Sequence, residues 1–366
     1  MALADSAAKL RVWLVGTALP VWAERARFPD GSWVEHLTLD GTPDRQAERR
    51  WRVMARQTVA YAQAAQAGWY DGAEIARRSF ESYWTKGWTG THIVHRIMPD
   101  GTVSDDRPDL YDHAFGLLAC AHMLSLSGDE AYRSHADDIL GWIATQSHPA
   151  GGWREGDVVP HPRRQNPHMH LLEASLALHQ ADGNPDDLSI AHEVVRLFGR
   201  HFLREGMIGE YFEDDWSPHD RRGDVVEPGH SAEWVWLLTR YDHVAGTDHG
   251  SACRALYDHA FRHRLATLFD EERRDGEIVR ETTRLWVHME AVKAHLSMAE
   301  RGWPGSSAMA AASLDALLGP VLRPDGTWVD RHNACGAVVS DMIPTSTLYH
   351  IVGTAVEAQR VVDSLR

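Results

Sequence analysis

Three histidines, His170, His230 and His350, stand 60 and 120 residues apart, and Glu290 lies 60 beyond His230. Stepping back from His170 by 57 residues reaches His113, and by 57 more reaches Arg56. A side chain suited to proton transfer or oxyanion binding thus recurs every 57 to 60 positions. Imidazole has an unperturbed pKa of about 6.5, so it both accepts and donates protons near neutral pH. The richest stretch is Glu227-Pro-Gly-His230-Ser-Ala-Glu233-Trp234, where a helical spacing of three sets His230 and Glu233 on one face. A carboxylate beside imidazole stabilises the cation and fixes its tautomer, as general acid–base catalysis requires. The plainer alternative is a histidine at a helix start beside a structural glutamate.

His350, in Pro344-Thr-Ser-Thr-Leu-Tyr-His350, has the apolar neighbours of an ordinary core histidine, but it shares the repeat phase of His230. Asn166 and His170, four apart, share a helix face and could bind hydroxyl groups. His168 and His170 point apart on a helix, and no HExxH is present, so no catalytic metal is expected. Gly229-His-Ser-Ala-Glu233 lacks the last glycine of a nucleophile elbow around Ser231, and no phosphate-binding glycine loop stands out, so no cofactor is expected either. Arg56, within an apolar stretch, needs a partner or an anionic or polyhydroxyl ligand. Trp286 and Glu290, one turn apart, set a flat apolar face beside a carboxylate, the composition that holds a sugar ring; core packing is the alternative for Trp286.

These residues sit in six segments with helical periodicity, from Ala47–Gly68 to Met342–Ala358, apolar on most faces as buried helices are. The first five end near a glycine, the common C-terminal stop. More polar helices are expected at Ala4–Ala26, Ala73–Trp84, Glu130–Thr145, Leu188–Leu203, Ser251–Phe269 and Ser306–Leu318. The alternation predicts an all-α fold, an (α/α)6 toroid of six hairpins forming one domain over residues 1–366. A linear solenoid is the rival, but it gives the polar residues no reason to converge. Long loops carrying Trp88, Trp153, Trp216 and Trp328 precede the inner helices and are expected to form binding walls at one mouth.

Composition narrows the function. A 43% hydrophobic share with 15 Trp permits a large core, and the net charge of −15 disfavours nucleic acid and acidic membrane surfaces. Three scattered cysteines form no disulfide framework, and residues 10–22 read as an amphipathic helix rather than a signal or span. A soluble cytoplasmic protein is expected, with a small molecule as partner and a homo-oligomer left open.

Together these segments resemble the N-acylglucosamine 2-epimerase superfamily, which includes cellobiose 2-epimerases and D-mannose isomerases. The resemblance spans nearly the whole chain. It rests on Tyr111-Asp-His-Ala-Phe115, Asn166 with Met169-His170 and Glu173-Ala174, Gly229-His230 with Glu233-Trp234, Arg284-Leu-Trp286 with Glu290-Ala291, and Ser346-Thr-Leu-Tyr-His350. It implies an (α/α)6 barrel that inverts or isomerises free sugars through a cis-enediol without a metal. His230 and His350 would be the general acid–base pair, with Glu233 orienting His230. Arg56, Tyr111, Asn166 and His170 would bind the sugar's oxygens, Trp286 would stack on it, and Glu290 would bind hydroxyls. Pro228, Trp234 and the Ser-Thr-Leu-Tyr-His run resemble the mannose isomerase branch, whereas Val287, His288 and Met289 depart from that branch's Pro-Gln-Thr.

The resemblance therefore implies an aldose–ketose isomerase for D-mannose and D-fructose, extending to D-lyxose and D-xylulose, with a sugar 2-epimerase as alternative. An inverting hydrolase using Asp112 and Glu233, or a non-catalytic scaffold, are the readings from other classes.

Overall fold

The computed structural model describes residues 2–263 and 268–365. In chain order α1 (Ala2–Trp13) continues through a π-helical turn at Leu14–Ala18 into α2 (Leu19–Arg25). Then follow the hairpins α3 (Arg52–Gln66) with α4 (Ala73–Gly87), α5 (Leu110–Ser127) with α6 (Ala131–Thr145), and α7 (Gln165–Asp182) with α8 (Leu188–Leu197). The second half adds α9 (Pro228–Ala245) with α10 (Gly250–Ala260), α11 (Leu285–Glu300) with α12 (Ser306–Leu317), and finally α13 (Leu348–Ser364).

The odd-numbered helices from α3 onward pack side by side in sequence, and α13 returns against α3, so the inner ring is closed. The even-numbered helices lie outside their hairpin partners, and α1 packs on both α12 and α13 to complete the outer layer. This is the (α/α)6 barrel, and it excludes a linear solenoid. An inner helix touches two inner neighbours and one outer helix, which is why α5 is apolar on nearly every face. Gly128 and Gly183, at φ 67° and 77°, end α5 and α7 in the left-handed conformation that a Cβ would strain.

The seam between the chain's ends is tied at several points. His36–Leu37 pairs antiparallel with Ile343–Pro344. The buried rings of Trp22 and Trp328 stack at 4.4 Å, and the Trp22 indole donates to the Gly326 carbonyl at 3.0 Å. Gln57 Nε2 donates to the Thr345 carbonyl at 2.7 Å. Removing a buried tryptophan from such a seam costs roughly 3–5 kcal/mol.

Several expected boundaries shift for identifiable reasons. The first inner helix starts at Arg52 because Arg49–Arg50 is a strand paired with Arg96–Ile97. Leu188–Leu203 loosens into a π-helical turn at Phe198–Phe202, whose Phe198 stacks on Trp234 at 4.7 Å. Ser251–Phe269 ends as a helix at Ala260, where Arg262 and His263 turn to Glu272 at 3.0 and 2.7 Å. The 264–267 part of that expectation lies outside the described residues.

The long loops form short antiparallel ladders over the N-terminal ends of the inner helices, such as Arg163–Arg164 with Tyr211–Phe212 and Val225–Val226 with Glu272–Arg273. Their tryptophans are not binding walls. Trp153, Trp216 and Trp328 are buried, and Trp88 stacks on Trp84 at 4.9 Å. Long loops over a polar mouth need apolar anchors of their own, and the indoles supply them. Among the described residues no helix is long and apolar enough to cross a membrane.

Candidate active site

The N-terminal ends of the inner helices and the ladders above them enclose a cavity of about 350 Å³. That lies at the small end of ligand pockets, roughly 300–1,000 Å³, and suits one compact molecule. Arg56 of α3, Tyr111 of α5, Asn166 and His170 of α7, His230 and Glu233 of α9, Trp286 of α11 and His350 of α13 all line it. Local structure explains the placement. The Asp109 side chain accepts from the Tyr111 amide at 3.0 Å and caps α5, fixing Tyr111 at the mouth. Pro228 in the first turn of α9 suits a helix start and places His230 just inside it.

Each of the three pocket histidines meets a carboxylate through Nδ1, leaving Nε2 as the other ring nitrogen. His230 Nδ1 lies 3.0 Å from Glu210, His350 Nδ1 2.8 Å from Glu290, and His170 Nδ1 3.0 Å from Glu173. The Trp286 ring sits between two of them, its centroid 5.3 Å from that of His230 and 5.8 Å from that of His350. Arg56 donates to the Tyr111 hydroxyl at 2.6 Å and lies 4.2 Å above the Phe115 ring, with no carboxylate paired to it among the described residues.

The electrostatics separate the two central histidines. Burial disfavours charge on His230, but Glu210 and Glu227 outweigh it and push its pKa up to about 10. Burial, with Arg56 and Lys293 nearby, holds His350 well below 6.5. His230 is therefore an imidazolium at neutral pH and His350 a neutral imidazole. Burial also keeps His170 neutral despite Glu173. Burial and the neighbouring Glu290 raise Glu233 well above the usual carboxylate range, which favours its protonated form. Its Oε1 and the Asn166 Oδ1 are buried without a hydrogen-bond partner, as atoms awaiting a ligand would be.

Three expected roles change. Glu233 does not orient His230; Glu210, reaching in from the ladder around Tyr211, does so instead. Glu290 does not face the cavity. It lies beneath it, fully buried between His350 and Lys293, whose Nζ is 2.7 Å away. His113, despite its repeat phase, is turned outward and stacks on Trp142 at 3.5 Å. The hydrolase pair also dissolves, because Asp112 is buried against Arg52 and His95 at 2.7 and 2.6 Å, away from the cavity. Sequence reasoning missed Glu210 and Lys293. A charged residue within the apolar run Met207–Phe212 was the available signal for Glu210.

Ligand atoms of Glu210, Glu227 and His230, and separately of His170, Glu173 and Glu233, lie within 4.8 Å of one another and could hold an ion. In both groups the histidine Nδ1 already meets a carboxylate, so an ion bound there through Nδ1 would displace that bond.

The model of the family described as N-acylglucosamine 2-epimerase matches residues 32–354. The chain is 31% identical to a protein of Rhizobium meliloti (strain 1021) named mannose-6-phosphate isomerase, over 94% of this chain and 95% of that one. It is 32% identical to a D-mannose isomerase of Thermobifida fusca over 39% of each chain. Its fold is similar to cellobiose 2-epimerase from Spirochaeta thermophila DSM 6192, with a TM-score of 0.89 and 22% identity over 99% of this chain and 98% of that one. The chain belongs to the N-acylglucosamine 2-epimerase family and is an enzyme of the isomerase class.

Proposed function

We propose that the enzyme interconverts D-mannose and D-fructose, and D-lyxose and D-xylulose by the same route. The observation that carries this is the pair of histidines in opposite protonation states on either side of Trp286. A neutral base and a cationic acid on one small cavity are what proton transfer next to a carbonyl needs.

His230 donates a proton to the ring oxygen as the C1–O5 bond breaks and takes back the proton of the anomeric hydroxyl, which becomes the C1 carbonyl. His350 then removes the proton from C2, and the C–H electrons form the C1–C2 double bond while the C1 carbonyl becomes an enediolate oxygen. Arg56 and the protonated Glu233 stabilise that charge in a site largely shielded from water. His350 returns the proton to C1 while the C2 hydroxyl proton passes to the O1 enediolate oxygen, so that C2 becomes the carbonyl, C1 carries a neutral hydroxyl and the ketose results. Trp286 carries the flat face of the sugar, and Asn166, Tyr111 and His170 bind hydroxyls.

Free sugars suit the mouth better than phosphorylated ones. Of the lining arginines besides Arg56, Arg50, Arg280 and Arg284 are already paired with Glu35, Glu271 and Asp270, and Arg331 is left without a salt bridge among the described residues, a single charge against a phosphate dianion. Incubation with mannose and with mannose 6-phosphate in D2O, followed by proton NMR, tests both points. Fructose carrying deuterium at C1 is expected, and faster turnover of the free sugar.

A 2-epimerase is the second reading, favoured by His170, a further imidazole on a different helix that, once it has taken a proton from a sugar hydroxyl, could deliver it to the opposite face of C2. It would give glucose deuterated at C2 in place of fructose.

A further inference from the structure

A second cavity of about 380 Å³ opens at the other end of the ring, among the C-terminal halves of the inner helices. We propose that it binds a small hydroxylated carboxylate, and that its wall transmits occupancy to the active site. The proposal stands on the geometry of this cavity and does not depend on which sugar the front pocket takes.

The polar atoms of the cavity specify the ligand. Arg240 lines it and makes no salt bridge among the described residues, attracting Glu357 only at longer range, whereas Arg360 is held by Glu300 and Glu357 at 2.7 and 2.9 Å. The cavity thus has a cation with no salt-bridge partner. Trp236 and Gln63 also line it, and the indole Nε1–H and the amide Oε1 are buried with no hydrogen-bond partner, one donor and one acceptor left over. Leaving such groups unpaired is costly, and a ligand presenting an anion and hydroxyls would satisfy all three. Burial holds the nearby His122 neutral, with a pKa of about 4, so it adds no second charge.

The connection to the front runs through two walls. Glu173 lines the rear cavity, yet accepts from His170 at 3.0 Å and from the Tyr349 hydroxyl. Trp236 carries the Lys293 ammonium 3.6 Å from its ring centroid, Lys293 holds Glu290, and Glu290 holds His350 at 2.8 Å. The back of one cavity is therefore the support of two histidines in the other.

Calorimetric titration of the full chain with D-gluconate, and with sorbitol as the uncharged control, tests the site. Gluconate is expected to bind, sorbitol at least about tenfold more weakly. Arg240→Ala should weaken gluconate binding by about tenfold or more. Gln180→Trp, at the exposed rim, should abolish it by filling the cavity, while Arg56→Ala in the front pocket should leave it unchanged. Gluconate should also shift the NMR ring signals of His170 and His350 but not those of His113. The proposal is overturned by an absence of binding up to about 10 mM, by loss of binding in Arg56→Ala but not in Gln180→Trp, or by equal binding of sorbitol. Unmoved His170 and His350 signals in the saturated protein would overturn the transmission.

Discussion

His170, His230 and His350 differ from His113 and His168 in what their ring nitrogens meet, although all five lie near the starts of inner helices. In the first group Nδ1 faces a carboxylate. In the second it faces the backbone carbonyl four residues earlier, Asp109 for His113 at 2.8 Å and Arg164 for His168 at 3.1 Å. Their Nε2 atoms accept from the amides of Ile93 and Trp153 at 3.0 and 3.2 Å. The second group clamps a loop onto a helix, while the first is held ready for a ligand. One residue type at similar helix positions thus does structural or chemical duty according to whether its partner is a peptide group or a carboxylate.

The sharpest way to break this division is to remove members of each group. His230→Ala and His350→Ala should each lower kcat for mannose by about 10³-fold, within the usual range for a general acid or base, with unchanged circular dichroism. His113→Ala should change the turnover of folded protein by less than about threefold, since it offers nothing to a transition state. A folded His113→Ala protein as inactive as His350→Ala would erase the distinction.

Glu210→Gln sharpens it. The wild-type rate should rise as pH climbs past the pKa of His350, which lies below 6.5 because the base must be neutral. It should fall near pH 10, where His230 loses its proton. The Glu210 anion stabilises the imidazolium, so its removal should lower kcat by about 10–100-fold and move the alkaline limb to lower pH. An alkaline limb that stays in place would show that Glu210 does not set the charge of His230.

Stability effects come next in size. His168→Leu should cost about 2–4 kcal/mol in urea unfolding, because a buried amide and a buried carbonyl both lose their partner. The smallest effect is on acid sensitivity. Burial lowers His113 to about 4 and His168 to about 3, so the unfolded chain binds protons there before the folded one does. Their contribution is complete above about pH 6.5 and is lost as pH falls toward those values, each tenfold difference in proton affinity being worth up to about 1.4 kcal/mol. Urea midpoints at pH 7 and pH 5 should differ less in His168→Leu than in wild type.

The alternation of buried and amphipathic periodicity made the barrel legible in the sequence, because each inner helix must satisfy neighbours on most sides while each outer helix keeps a wet face. The residue spacing located Arg56, His170, His230 and His350, since equivalent positions of a closed repeat converge. It misplaced His113, for a step of 57 residues fixes position along the ring but not the rotation of a helix about its own axis. Two residues earlier on α5, Tyr111 takes the pocket-facing place. Glu210 escaped notice because the ladder that delivers it pairs segments far apart in the chain, and only three-dimensional register sets it beside His230.

The seam where α13 closes against α3 carries a further consequence for how the enzyme comes into being. His350, the base in the proposed reaction, belongs to the final helix, and the strand leading into that helix must find His36–Leu37 before the cavity has its sixth inner helix. A chain emerging in order can raise five hairpins and still be chemically mute. Turnover then begins only when the last turn of the ring locks into the first, so activity reports that the circle has been completed.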